Sequence, residues 1–262
     1  MTSLPSNPSH IWWCATGPLA FLPIHAAGIY DTPDPGNCIS DFVISSYIPT
    51  LSTLIDNPQV TTPHSFQLLA VAQPNAPHHS PLPGTRKELE LIKSRAEGVP
   101  FVPLIDDGAT MENVLRHMGE ATWVHFACHG VQDISNPTNS SLILANGSQL
   151  KLSTIIDLSL SHAELAFLSA CETATGSKDL SEEAVHLAAG MLLAGYRGVI
   201  ATMWSIGDVD ASRIADGVYS HILMGGKPEY TQAALALHQA VQRLRLQGAS
   251  FLSWVPYIHV GF

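Results

Sequence analysis

The sequence predicts an α/β fold with a mostly parallel central sheet and helices on both faces. Three observations lead there. Short apolar runs of strand length alternate with stretches that have helical periodicity. The runs are apolar at nearly every position rather than at alternate ones, the pattern of strands covered on both sides. Hydrophobic residues make up 46% of the 262 positions, enough to fill such a core. No period of 20–50 residues is visible, so residues 1–262 read as one domain, with 1–10 as a flexible leader.

The elements follow in order. Residues 11–25, from Ile11 to His25, suggest an opening strand pair that turns at Gly17 and Pro18. A loop rich in Asp, Pro and Gly runs from Asp31 to Gly36. The runs 43–48 and 65–72 have the length of buried strands. Residues 73–84 carry four prolines and the pair His78-His79, and read as a surface connection. A capping box then opens a helix: Thr85 can accept from the Glu88 amide while Glu88 reaches back, and Leu89 and Ile92 begin the apolar stripe.

Residues 100–105 are a further strand. Thr110 caps a helix with Val114, Leu115 and Met118 on one side. The run 123–129 is a strand ended by Gly130, and 164–170 is one whose last residue delivers Cys171. Ser181 caps a helix with Glu182 and Glu183 in its first turn, where carboxylates suit the dipole. That helix is apolar nearly all round and rich in small residues through Leu193, as a buried helix packed closely on a sheet would be. Residues 198–204 form one more strand, followed by helices over about 208–224 and 231–247.

Charge narrows the function classes. The formal charge is −10 with only 12 Lys plus Arg, which excludes a general nucleic-acid binder. Charged residues are 13% of the chain, against roughly 25% in ordinary soluble domains, so either much of the sequence is core or part of the surface is covered by another domain or chain. Cys14, Cys38, Cys128 and Cys171 form no C-x-x-C pair and read as reduced thiols. The first residues carry neither a basic nor an apolar signal segment. The run 11–29 is broken by Pro18, Pro23 and His25 and makes a poor membrane span. A cytoplasmic protein without membrane contact is expected.

Chemistry is placed at two strand ends, where open α/β sheets gather their sites. One run ends at His129-Gly130, the other at Cys171-Glu172. A thiol needs a neighbouring base to become a thiolate, and imidazole is the usual one. The Gly130 and Cys171 backbone N–H groups are natural oxyanion donors. Cys128 should face the opposite way from His129 by strand alternation, while His125 shares the His129 side but lies deeper, as a core histidine.

The stretches His125-Phe-Ala-Cys-His-Gly130, Ser141-Leu-Ile-Leu144 and Phe167-Leu-Ser-Ala-Cys-Glu-Thr-Ala174, with the run 188–204, resemble the CHAT domain of caspase-like (clan CD) cysteine peptidases. The likeness extends over roughly 13–262 and takes in the segments 82–88 and 254–261. It implies a caspase-hemoglobinase fold and a cysteine endopeptidase acting on protein or peptide substrates. By the same resemblance His129 is the general base and Cys171 the nucleophile, and no metal or organic cofactor is needed. The family's usual context is a helical-repeat (TPR-like) region on the N-terminal side, so this chain is expected to be a separated domain or fragment, gated by such a region or by a partner. Ser169-Ala-Cys-Glu172 departs from the Gln-Ala-Cys-Arg/Gln/Gly pattern of caspases proper, and their aspartate specificity is not carried over.

For substrate binding, Asp31, Asp34, Glu172 and Asp208 are candidates to attract a basic side chain, with a helix cap as the other role for Asp208. Trp204 is a candidate groove wall or a core residue. A zinc site built from His125, Cys128, His129 and Cys171 is disfavoured, because alternation turns Cys128 away and no ligand motif is present. No Gly-x-Ser-x-Gly elbow supports a serine hydrolase. A caspase-like scaffold that binds without cutting is the alternative to the enzyme.

Overall fold

The computed structural model describes residues 8–31, 36–55, 65–131, 133, 135–169, 171–172 and 183–262. Twelve strands among them are β1 (Ser9–Trp13), β2 (Val43–Tyr47), β3 (Leu68–Ala72), β4 (Phe101–Ile105), β5 (Trp123–Ala127), β6 (His129–Val131), β7 (Ser141–Ile143), β8 (Gln149–Lys151), β9 (Leu165–Leu168), β10 (Cys171–Glu172), β11 (Gly198–Thr202) and β12 (Tyr257–Gly261). The helices are α1 (Ser52–Ile55), α2 (Gly84–Arg95), α3 (Met111–Met118), α4 (Leu152–Asp157), α5 (Glu183–Ala194), α6 (Asp208–Ile222), α7 (Ala233–Leu246) and α8 (Phe251–Trp254).

The main sheet has the order β1-β2-β12-β11-β9-β5-β3-β4. Only its β11–β12 pairing is antiparallel. Strands β3, β5, β9 and β11 are buried along their whole length, because one apolar cluster fills each face. Val124, Phe126, Ala166 and Val199 point into a cluster with residues of α3, α4 and α5. Trp123, Phe167 and Ile200 point into another with residues of α2, α6 and α7. Helices thus cover both faces, as expected for near-continuous apolar strands. A second, four-stranded sheet with the order β10-β6-β7-β8 grows from the carboxyl ends of β5 and β9.

The small residues of α5 have a visible purpose. A Cβ on Gly190 would lie 2.3 Å from Leu152 Cδ1, so the close packing of α4 on α5 requires glycine there.

Four expectations are corrected. The run 11–25 forms no strand pair: β1 pairs in parallel with β2, and residues 17–21 and 24–26 are 3-10 turns. Pro18 and Pro23 lack the N–H groups that a second strand would need. Ser9 and His10 of the expected leader belong to β1, while residues 1–7 lie outside the described residues. The strand 123–129 stops at Ala127, and His129 opens β6 instead.

The capping box is the most informative correction. The helix begins at Gly84 with no side-chain cap, and Thr85 Oγ1 donates back to the Leu82 carbonyl. Glu88 is buried and turns into the core, where its carboxylate lies 3.1 Å from Nε2 of the fully buried His125, off the line of the ring N–H. Tyr219 of α6 completes the group with its hydroxyl 3.3 Å from His125 Nδ1. Thr110 does cap α3, accepting from Asn113 N at 3.2 Å. The expected cap at Ser181 lies outside the described residues.

Two more buried histidines stiffen the β1–β2–β12 side. His25 Nε2 donates to the Val255 carbonyl at 2.8 Å, and its Nδ1 lies 2.8 Å from the Tyr47 hydroxyl. Ser46 Oγ joins His10 Nε2 to His259 Nδ1 at 2.7 Å each. Burial lowers the His25 pKa to about 4 against a smaller opposing effect of the Val255 hydrogen bond, and burial aided by His10 lowers that of His259 to about 3.

Two predictions follow from these buried groups. Replacing Glu88 with Ala leaves a buried imidazole without its carboxyl neighbour, and the loss should be about 3 kcal/mol by urea denaturation; a loss of a few tenths would show that the Glu88–His125 approach contributes little to the docking of α2. The unfolded chain takes up protons at these histidines from about pH 6.5 downward while the folded one does not. Their stabilisation is therefore complete above 6.5 and lost as pH falls toward 4 and 3. Between pH 7 and pH 5 the two should cost about 4 kcal/mol together, read as a lower denaturation midpoint; a flat profile would rule out neutral burial.

Candidate active site

Strands β5 and β9 are parallel neighbours with Phe126 opposite Leu168. Three residues on from each pair member come His129 and Cys171, and these are again Cα partners, now in the parallel β6–β10 pairing. Glu172 is the partner of Gly130. The register of the main sheet therefore passes unshifted into the small sheet. Cys128, between the two strands, is buried in the apolar cluster on the α3–α4–α5 face.

The His129 ring is fully buried. Its Nε2 lies 2.8 Å from the Ser80 carbonyl oxygen. A carbonyl only accepts, so Nε2 carries the proton and, in the neutral ring, Nδ1 keeps the free lone pair. Nδ1 is buried without a hydrogen-bond partner among the described residues. This leaves one basic atom, aimed by a backbone contact. The ring also stacks on His79, with centroids 4.8 Å apart and planes at 25°. Burial, His129 and His78, in that order, lower the His79 pKa.

The loop that supplies Ser80 is held from behind. Asp208 does not cap its own helix, whose N-cap is Gly207. Its Oδ2 instead accepts from the Gly84 N–H at 2.9 Å, so it serves the first turn of α2. A Cβ on Gly84 would stand 2.4 Å from the Asp208 Cβ, and only glycine permits this approach.

The other sequence candidates are dispersed. Trp204 is half-buried beyond the end of β11 and packs against both apolar clusters; its Nε1 is buried without a described partner. Asp31 is exposed next to Tyr30, whose ring packs on Phe251 and Trp254. Asp34 lies outside the described residues. His125 and Cys128 occupy opposite faces of the sheet, which dissolves the zinc arrangement considered above. Among the described residues no group of three or more His, Cys, Asp or Glu is placed to hold a metal ion.

Sequence reasoning missed Ser80 and His79. The loop's prolines and paired histidines marked it only as a connection. The loop turns at His78 with a left-handed φ of 65°, a conformation histidine visits more often than most residues but which its place in the sequence does not by itself assign.

The CHAT domain family model matches residues 2–262. No curated protein matches the chain in sequence. Among solved structures, it is similar to the complex of Porphyromonas gingivalis RgpB pro- and mature domains, with a TM-score of 0.60 and 13% identity over 97% of this chain and 64% of that one. The Arg specific cysteine proteinase gingipain R (RgpB) aligns with a TM-score of 0.55 and 15% identity over 88% of this chain and 56% of that one. The Saccharomyces cerevisiae separase–securin complex aligns with a TM-score of 0.55 and 14% identity over 87% of this chain and 14% of that one. The chain thus spans less than two thirds of each. At these identities the likeness concerns the fold, which is the caspase-hemoglobinase fold. No helix among the described residues is long and apolar enough to cross a membrane.

The tautomer is directly measurable. Nitrogen-15 NMR of the imidazoles at neutral pH should show the neutral His129 ring protonated at Nε2 with Nδ1 bare; the reverse shifts would remove the Ser80 contact from the site.

Proposed function

The chain belongs to the CHAT domain family, and from that premise we propose that it is a cysteine endopeptidase working through His129 and Cys171. The observation that carries this reading is the β6–β10 register, which pairs the backbone of Cys171 with that of a histidine whose other nitrogen is tied to Ser80.

In the proposed reaction His129 Nδ1 takes the Cys171 thiol proton, and the thiolate attacks the scissile carbonyl carbon. The oxyanion formed is held by the backbone N–H groups of Gly130 and Cys171. As it collapses, the C–N bond breaks and the imidazolium gives its proton to the departing amine. Water, deprotonated by the same Nδ1, then hydrolyses the thioester and restores the thiol. The Ser80 carbonyl supports the cationic ring by accepting from Nε2 throughout.

The substrate is an extended peptide laid along the site, with Trp204 as one wall. A basic side chain before the cut suits the chain's negative balance and the carboxylate of Glu172. We assign Asp208 to fold support, since its carboxylate is engaged by Gly84. Asp31 and Asp34 stay as outlying acidic candidates. A TPR-like helical-repeat region or partner protein would gate the activity, in the cytoplasm. The second reading, a latent scaffold, rests on the chain's low content of charged residues, 13%, which suits a covered domain.

A diverse peptide library incubated with the chain and with its Cys171→Ala and His129→Ala variants separates the two. Cleavage should fall by at least about 10³-fold in each variant, with cut sites after Arg or Lys. A folded wild-type chain that cuts nothing, with or without its helical-repeat partner, would leave the scaffold.

A further inference from the structure

The loop before α2 touches His129 at two points, and the proposed chemistry uses only one. Ser80 meets the edge of the ring through its carbonyl. His79 meets its face, at 4.8 Å between centroids and 25° between planes. The left-handed turn at His78 precedes both, so that consecutive residues present first a ring and then a carbonyl to one imidazole. The loop is anchored at its far end, where Leu82 N donates to the Pro74 carbonyl at 2.8 Å and Gly84 N to Asp208. Ring and carbonyl therefore approach His129 as one unit.

We propose that His79 is a positioning residue for the catalytic pair, an aromatic plate that fixes the plane of His129 and stabilises its imidazolium form. The inference rests on the reading of His129 as the base. A ring held at one nitrogen alone can still swing about that contact. A second contact on its face removes this freedom and fixes the plane in which Nδ1 lies. When the ring becomes positive, the stacked π-system attracts the charge, in the way aromatic faces attract cations. The thiolate–imidazolium state of the pair is favoured over the thiol–imidazole state as a result. The aromatic face is what matters, so phenylalanine should substitute for His79 and alanine should not.

The test is the rate at which iodoacetamide alkylates Cys171 at pH 7, read by mass spectrometry on the Cys171 peptide so that Cys14, Cys38 and Cys128 do not contribute. His79→Ala should slow alkylation about tenfold, and lower kcat for a cleaved peptide by a similar factor with KM little changed. His79→Phe should bring both within about threefold of wild type. Unchanged melting temperatures would show that the variants fold alike. Should His79→Ala react like wild type while His129→Ala is slow, the plate is overturned and the base stands. A Phe variant as slow as the Ala variant also overturns it, because an aromatic face would then not suffice. His129→Ala reacting like wild type would bring down the catalytic reading, and this one with it.

Discussion

Parallel strand pairing sets the backbone spacing of His129 and Cys171, the two residues of the proposed catalytic pair. Strands β5 and β9 lie side by side in the middle of the main sheet, buried on both faces. A slip of one residue would exchange the side chains packed on the two faces and break the fit of both apolar clusters. The core therefore holds the register at Phe126 opposite Leu168. Three residues beyond, the same register brings His129 beside Cys171. The site is positioned by the burial of residues that take no part in it.

A second constraint acts through α2. This helix is fastened to the sheet and to α6 by the buried Glu88–His125–Tyr219 group, and its first turn is fastened by Asp208. Immediately before that turn runs the loop that gives Ser80 to Nε2 of His129. A buried polar group is costly without a polar neighbour, and the docking of α2 sets the Glu88 carboxyl 3.1 Å from His125 Nε2. The loop at the end of the helix is thereby placed as well. Sheet register aligns the two backbones, and helix docking places the loop that meets the His129 ring.

Much of this was legible from residue order. The strands β2, β3, β4, β5, β9 and β11 and the helices α2, α3, α6 and α7 fall where apolar runs and helical periodicity put them, with ends displaced by a few residues. His129 and Cys171 stand out because each follows a run apolar enough to be buried and precedes a change of pattern. The failures have physical causes. Thr85 and Glu88 satisfy the spacing of a capping box, but a carboxylate near a helix start is equally able to turn inward, and spacing says nothing of the buried histidine waiting 37 residues later. Asp208 precedes a helical run and reads as its cap; only the packing of α2 against α6 shows that it serves Gly84.

What the sequence by itself determined is what local rules govern: the α/β class, the near-continuous strands, the Thr110 cap, and a histidine and a cysteine that each follow a buried run. These depend on side-chain type and spacing along a few consecutive residues. The tertiary structure alone decided which nitrogen of His129 is tied to a carbonyl, which loop approaches its edge and face, and which helix each carboxylate serves. Those outcomes join groups separated by 49, 50 and 124 positions. They follow from how rigid layers dock, because a hydrogen bond or ring contact a few ångströms long exists only once both partners have been brought into place by the packing of everything between them.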